Sequence, residues 1–388
     1  MQGRGLDKPL LLTVAVLLIA GLATLYSAGQ TDVPTGAAGV WRRQLVFVAV
    51  GTFATVIAYR VSPRLLEWAT PFVYGLAIAG VRIGQPTEFA KLATILMLAR
   101  HLAGRREGPR NLWELMPACV LAGVPFVLVG LQPDLGSAIV FVGILLVMLF
   151  WVGTNPWLLL LLVSPLVSLL MAFSTISWGV WIVVLTLLLI WLRPYVLEGV
   201  VVWMINVVMG VLALELWNRL APYQQNRLLS FLNPEIDPRA TGWHIIQSKV
   251  AIGSGGLFGK GYIEGTQKRL AFIPEQTTDF IYTVLGEEFG FVGVLASLLL
   301  FAVLIVILVR IARRATDAFA SLVAFGIAGM FATHVLENVG MTVGLMPITG
   351  IPLPFFSYGG SFLLTCFLAV GLALRVAWEA RLAGYADV

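Results

Sequence analysis

The chain has 388 residues, of which 59% are hydrophobic and 12% charged, with a formal net charge of +5 and a mean hydropathy of +0.92. Soluble domains carry about 25% charged residues, so a water-soluble fold is excluded and lipid is the solvent for most of this chain. Cys119 and Cys366 both lie in apolar runs, which argues against a disulfide framework or a cysteine metal set.

A helix of about 20 apolar residues crosses the hydrocarbon, because in lipid the backbone polar groups must be satisfied within the segment. Runs of this kind fall near 9–27, 42–60, 65–81, 87–104, 113–131, 136–153, 156–173, 176–193, 197–219, 279–310, 317–340 and 354–380. The expected fold is all-α, one integral membrane domain over 1–388, a polytopic bundle of 10 to 12 transmembrane helices. The breaks at Ser174–Ser177 and Arg193–Glu198 are short, which leaves both counts open. Arg4 and Lys8 precede the first run without a small-residue cleavage site, so it reads as a retained helix.

Arginines near the helix ends set the orientation. With a cytoplasmic N-terminus, the inner junctions carry Arg60 and Arg64, then Arg100, Arg105, Arg106 and Arg110, then Arg193, Arg310, Arg313, Arg314, Arg375 and Arg381; Arg42 and Arg43 are the exceptions. One long polar stretch, about 220–278, then lies outside as a large extracytoplasmic loop. Its cations, Arg227, Arg239, Lys249, Lys260, Lys268 and Arg269, are no strong objection, since long loops cross largely regardless of charge.

Ionisable residues within or beside a span mark candidate sites. Glu88 and Lys91 open the fourth run, where they read equally as a capping carboxylate with an i, i+3 partner. Asp134 sits at an equivalent helix start and suits an N-cap. Asp279 opens the run after the long loop, with Glu275 four residues before it and Lys260, Lys268 and Arg269 within twenty positions. A carboxylate beside cations can act as a general base while the cations hold an anionic leaving group.

Gly253–Gly261 is glycine-rich around Lys260 and lacks the P-loop spacing; it reads either as a phosphate-approaching turn or as a plain surface turn. Glu287 and Glu288 fall about two turns after Asp279 if that helix is continuous, so one of them is expected to face a polar cavity. The stretch 344–361, with Pro347, Pro352 and Pro354, cannot be a regular helix and reads as a re-entrant or broken segment. His334, Glu337 and Asn338 on the preceding helix are placed to line the same space, though a metal site on His334 is not expected.

The segments QPTEFAKL, QPDLGSA, YQQNRLLSFLNPEIDP, IIQSKVAIGSGGLFGKG, IPEQTTDFIYTVLGEEFG and GLMPITGIPLPFFSYGGS, in this order from Gln85 to Ser361, resemble the signature segments of the SEDS family (shape, elongation, division, sporulation). The glycine–lysine loop is closer to the elongation branch than to the division branch. The resemblance implies a peptidoglycan glycosyltransferase of the bacterial cytoplasmic membrane, working on its outer face. Such enzymes polymerise lipid II into glycan strands beside a class B penicillin-binding protein; no nucleic acid is involved.

It also implies that Asp279 is the family's essential aspartate, acting as general base in an inverting reaction. Lys260, Glu88, Lys91, Asp134 and Arg227 match its cavity and loop motif positions, and Lys249, in the IIQSKV segment, joins them as a substrate-binding candidate. A divalent cation, Mg or Mn, would be a compatible cofactor. Three departures stand out. Thr277 replaces a common histidine, the third run joins QPTE without the usual outer connection, and about 174–218 is longer than usual. The alternative is a lipid II flippase or transporter, which a bundle with broken segments and intramembrane carboxylates would also suit.

Overall fold

The computed structural model describes residues 6–84, 87–105, 108–132, 134–232, 241–273 and 275–386. Expectations at Gln85, Pro86, Arg106, Pro133, Arg239 and Pro274 lie outside them.

Among the described residues every regular element is a helix. The first group comprises α1 (Lys8–Ala28), α2 (Val40–Arg60), α3 (Pro63–Gly84), α4 (Thr87–Ala103), α5 (Leu112–Gly130), α6 (Leu135–Trp151), α7 (Pro156–Met171), α8 (Thr175–Leu192) and α9 (Val196–Arg219). The long polar stretch folds into α10 (Pro222–Leu232), α11 (Thr241–Ser254) and the short α12 (Thr266–Arg269). Then come α13 (Ile281–Arg314), α14 (Ala318–Thr342) and α15 (Gly360–Ala386). Each apolar run of the sequence coincides with a helix. Eight of these are long and apolar enough to cross a membrane, and α6 and α7 are shorter apolar helices. The last helix starts at Gly360, not near 354, because Pro352 and Pro354 hold the chain in a turn.

Six of the helices start at side-chain caps. Asp7, Asn111, Asp134, Asn155, Ser174 and Asp317 each accept a hydrogen bond from an amide in the first turn. The most apolar window of α14 is 72% buried against 6% for α8, so α14 lies at the centre of the bundle and α8 at its lipid-facing edge. Around α14 pack α4, α6, α13 and α15, with α1 against α13 and α2 along α15. Helices α7, α8 and α9 form a satellite group locked by one buried amide. Asn206 donates to Ser164 (2.8 Å) and accepts from Trp181 (3.2 Å), while its backbone carbonyl takes the Ser168 hydroxyl (2.7 Å). In an apolar environment such bonds specify which helix faces meet.

The feature that shapes the working end is a break in α13. Gly290 has φ 62 and ψ −160, a conformation open essentially to glycine alone. The break orphans four backbone groups, and the glycine-rich loop after α11 satisfies them. Lys260 N donates to Glu287 O (3.0 Å) and Gly261 N to Glu288 O (3.1 Å). In return, Phe291 N donates to Gly256 O (2.9 Å) and Val292 N to Leu257 O (3.1 Å). The loop thus splices into the helix, and a Cβ at Gly259 would collide with the Glu288 carbonyl.

Candidate active site

Asp279 ends a tight turn ahead of α13, in which Glu275 adopts a positive φ of 52 and its carbonyl accepts from Phe280 N (3.2 Å). The turn is held from behind by backbone contacts. Asn338 of α14 donates to the Asp279 carbonyl (2.9 Å) and to the Ile351 carbonyl (2.7 Å). The Ser357 hydroxyl donates to Thr278 O (2.6 Å), and Tyr358 N donates to Thr277 O (2.8 Å). The non-helical stretch 343–359 is therefore the strap that carries Asp279, and its carboxylate lies against Gly350, whose φ is 76. Phe355 and Phe356 of the strap lie so close over Gly21 of α1 that no side chain would fit there.

Burial pushes the Asp279 carboxyl up to about 6, helped by the neighbouring Glu275 charge and opposed by the Arg227 guanidinium. Such a carboxyl is ionised at neutral pH yet basic enough to take a proton. The charge of Asp134, which caps α6 through Ser137 N (3.0 Å), also reaches Asp279.

A second polar chain joins α4, α14 and the strap. Fully buried Lys91 donates to both oxygens of Glu88 (2.8 and 3.0 Å) and lies 3.3 Å from His334 Nε2. An ammonium can only donate, so Nε2 accepts and Nδ1 carries the proton toward Pro352 O (3.1 Å). One turn further, Glu337 is buried, beside Thr349 and within electrostatic reach of Lys91 and Asp134.

The other sequence candidates fall in two places. Arg227 of α10 stands over the Tyr223 ring (5.7 Å) and its charge reaches Asp279, which puts it at the site. Lys260 does not stand free. It donates to Glu287 (2.8 Å) and Thr266 (2.7 Å) and clamps the spliced loop. Lys268 is buried in an ion pair with Glu288 and donates to the Ser27 carbonyl (2.9 Å), while Arg269 pairs with Asp32 (3.0 Å). The three cations expected beside Asp279 are thus spent on anchoring the loop to α1 and α13. Glu287 is the partner of Lys260 and Glu288 that of Lys268; neither faces an open polar space. Of the glycine-loop amides that a phosphate would need, Lys260 N and Gly261 N are engaged with α13, and those of Gly255, Gly256 and Gly259 with carbonyls just before them in the chain. The exposed Lys249 lies across Gly344 at the edge of the strap.

Sequence reasoning missed Asn338 as the group that holds the Asp279 backbone and Ser27 as a partner of the buried lysine. The sequence places Asn338 with His334 and Glu337 along this space, four residues after His334 on the same helix face, without assigning it the Asp279 carbonyl. Among the described residues no group of three or more His, Cys, Asp or Glu side chains could hold a metal ion.

These features define a multi-pass membrane protein that gathers its unusual ionisable side chains at one end of a helix bundle, beneath a structured loop. The family model of the FtsW, RodA and SpoVE cell cycle proteins matches residues 75–183 and 167–382, and the chain belongs to that family. It is 34% identical to the peptidoglycan glycosyltransferase RodA of Treponema pallidum, over 95% of this chain and 97% of that one. It is 33% identical to the peptidoglycan glycosyltransferase MrdB of Escherichia coli K12, over 96% and 93%. Among solved structures, a chain from work on how a peptidoglycan synthase complex coordinates polymerization and crosslinking superposes with a TM-score of 0.70 at 26% identity, covering 97% of this chain and 98% of that one.

Proposed function

We propose that this protein is a peptidoglycan glycosyltransferase that extends glycan strands from lipid II. The names of its full-length relatives support the reaction class. The observation that carries the mechanism is the Asp279 carboxyl, set at about 6 and fixed by its backbone at the site end of the bundle.

In this mechanism ionised Asp279 takes the proton of the acceptor sugar hydroxyl. The freed oxygen forms a bond to the donor's anomeric carbon, with inversion, as the bond to the lipid pyrophosphate breaks and its electron pair leaves with the phosphate. Arg227, whose charge already reaches Asp279, is the cation placed to offset that developing charge. Lys91, tied to Glu88 and His334, fixes the floor, and Asp134 and Lys249 line the approaches. Lys260 acts by positioning, since it holds the loop to α13 and not the leaving group. The arginine pattern supports a site end outside the cytoplasmic membrane, where lipid-linked precursors are consumed. The partner would be a class B penicillin-binding protein, in keeping with the synthase complex from which a structural neighbour comes.

The test is polymerisation of purified lipid II by this chain with its cognate penicillin-binding protein. Long strands are expected. No strands, together with movement of lipid II across sealed vesicles, would favour a transporter.

A further inference from the structure

At the end of the bundle away from Asp279, a recess of about 450 Å³ opens between the start of α1 and the last turns of α13 and α15. Its rim carries Arg310 and Arg314 of α13 and Arg381 of α15; its wall includes the buried Ile307 and Ile311. Asp7, the cap of α1, is the one carboxylate in the lining, and it pairs with Arg381 at 2.5 Å. Arg310 and Arg314, one turn apart on the same helix face, have no hydrogen-bond or ion-pair partner among the described residues. Like charges at that spacing repel, and three guanidiniums face one carboxylate. Arg310 and Arg314 are exposed at the mouth of this recess, where they share its rim with Arg381.

We propose that this recess binds the phosphate head of an anionic membrane phospholipid. The shared chemistry is a phosphate group held by guanidinium forks, which match its geometry. A free phosphate ion would use only the rim. A phospholipid would use the whole recess, its head between the arginines and the beginning of an acyl chain on the isoleucine wall. The depth is suitable, because α13 runs about 24 residues past its break, roughly 36 Å at 1.5 Å per residue, and so ends at the head-group level of a bilayer. Basic recesses between helix ends are where anionic head groups are captured. The site is separate from the glycosyltransferase reading and stands or falls without it.

The experiment uses the full chain purified in neutral detergent, with bound lipid counted by native mass spectrometry and thermal midpoints followed on titration. Phosphatidylglycerol should bind saturably and raise the midpoint, whereas phosphatidylcholine and inorganic phosphate at equal concentration should do neither. The Arg310→Gln/Arg314→Gln variant should bind phosphatidylglycerol about 30-fold more weakly, roughly fivefold for each arginine, with an unchanged midpoint in phosphatidylcholine. Asp7→Asn keeps a capping side chain but removes the one carboxylate lining the recess and should tighten binding about fivefold, a gain that misfolding could not produce. Equal binding of phosphatidylcholine, undiminished binding by the double variant, or saturation of the site by inorganic phosphate alone would overturn the proposal.

Discussion

Asp279 combines two properties that are easily confused, a role in chemistry and a role in folding, and their pH dependences separate them. Its folded value of about 6 lies above its ordinary 3.8, so between those values the folded chain holds a proton that the unfolded chain releases. Stability from this group is present at low pH and is lost as pH rises through that window; above it, the ionised carboxylate is a net cost. Asp279→Asn should therefore abolish polymerisation at pH 7.5 without lowering the thermal midpoint. For the wild type, kcat/KM should fall about tenfold per pH unit below about 6, as the base becomes protonated. Removing the opposing cation in Arg227→Gln should move that acid limb to higher pH as well as reduce the rate. An unmoved limb would mean that a group other than Asp279 is titrating. At this scale the sequence was partly legible. Asp279 stood out because a carboxylate at a span entrance is costly without a purpose. The role of Lys260 did not, because a lysine between glycines looks alike whether it meets a phosphate or a buried Glu287.

The elements around the site are held by two devices that act through burial and backbone. Lys268 and Glu288 are both fully buried, so removing one partner leaves an uncompensated charge. Lys268→Met alone should destabilise by about 3–5 kcal/mol, and the Lys268→Met/Glu288→Gln double variant should recover much of that loss. Thermal or denaturant unfolding in detergent measures both, and a strictly additive pair would show that the two groups do not interact. The second device is the splice at Gly290. Gly259→Ala would meet both a φ of 83 and the Glu288 carbonyl, and it should cost at least about 1–3 kcal/mol by backbone strain alone. That splice was not readable from the sequence. The apolar run continues through Gly290 with helical composition, and only the spatial meeting with Gly255–Gly261 shows that two glycine clusters serve one junction. The membrane-length helices were readable, because length and apolarity decide a span before packing does, whereas α10, α11 and α12 inside the polar stretch were not. The start of α15 was misplaced only because apolar residues continue across Pro352 and Pro354.

At the scale of the whole molecule the account requires that Asp279 and the basic recess lie on opposite sides of a membrane. Neither native cysteine should compete in labelling, since Cys366 is buried and Cys119 half-buried within α5. Glu275→Cys, at an exposed position, should react with a membrane-impermeant maleimide in intact cells, and exposed Arg313→Cys only after permeabilisation. The reverse pattern would invert the orientation drawn from arginines and remove the site from the side where lipid-linked precursors are consumed. The central claim is tested most directly by comparing lipid II polymerisation by wild type and Asp279→Asn, each purified with the cognate penicillin-binding protein and each with its thermal midpoint recorded at pH 7.5. Long strands from wild type and none from an equally stable variant are the predicted result. Strands of normal length and yield from the variant would contradict a mechanism in which Asp279 takes the proton.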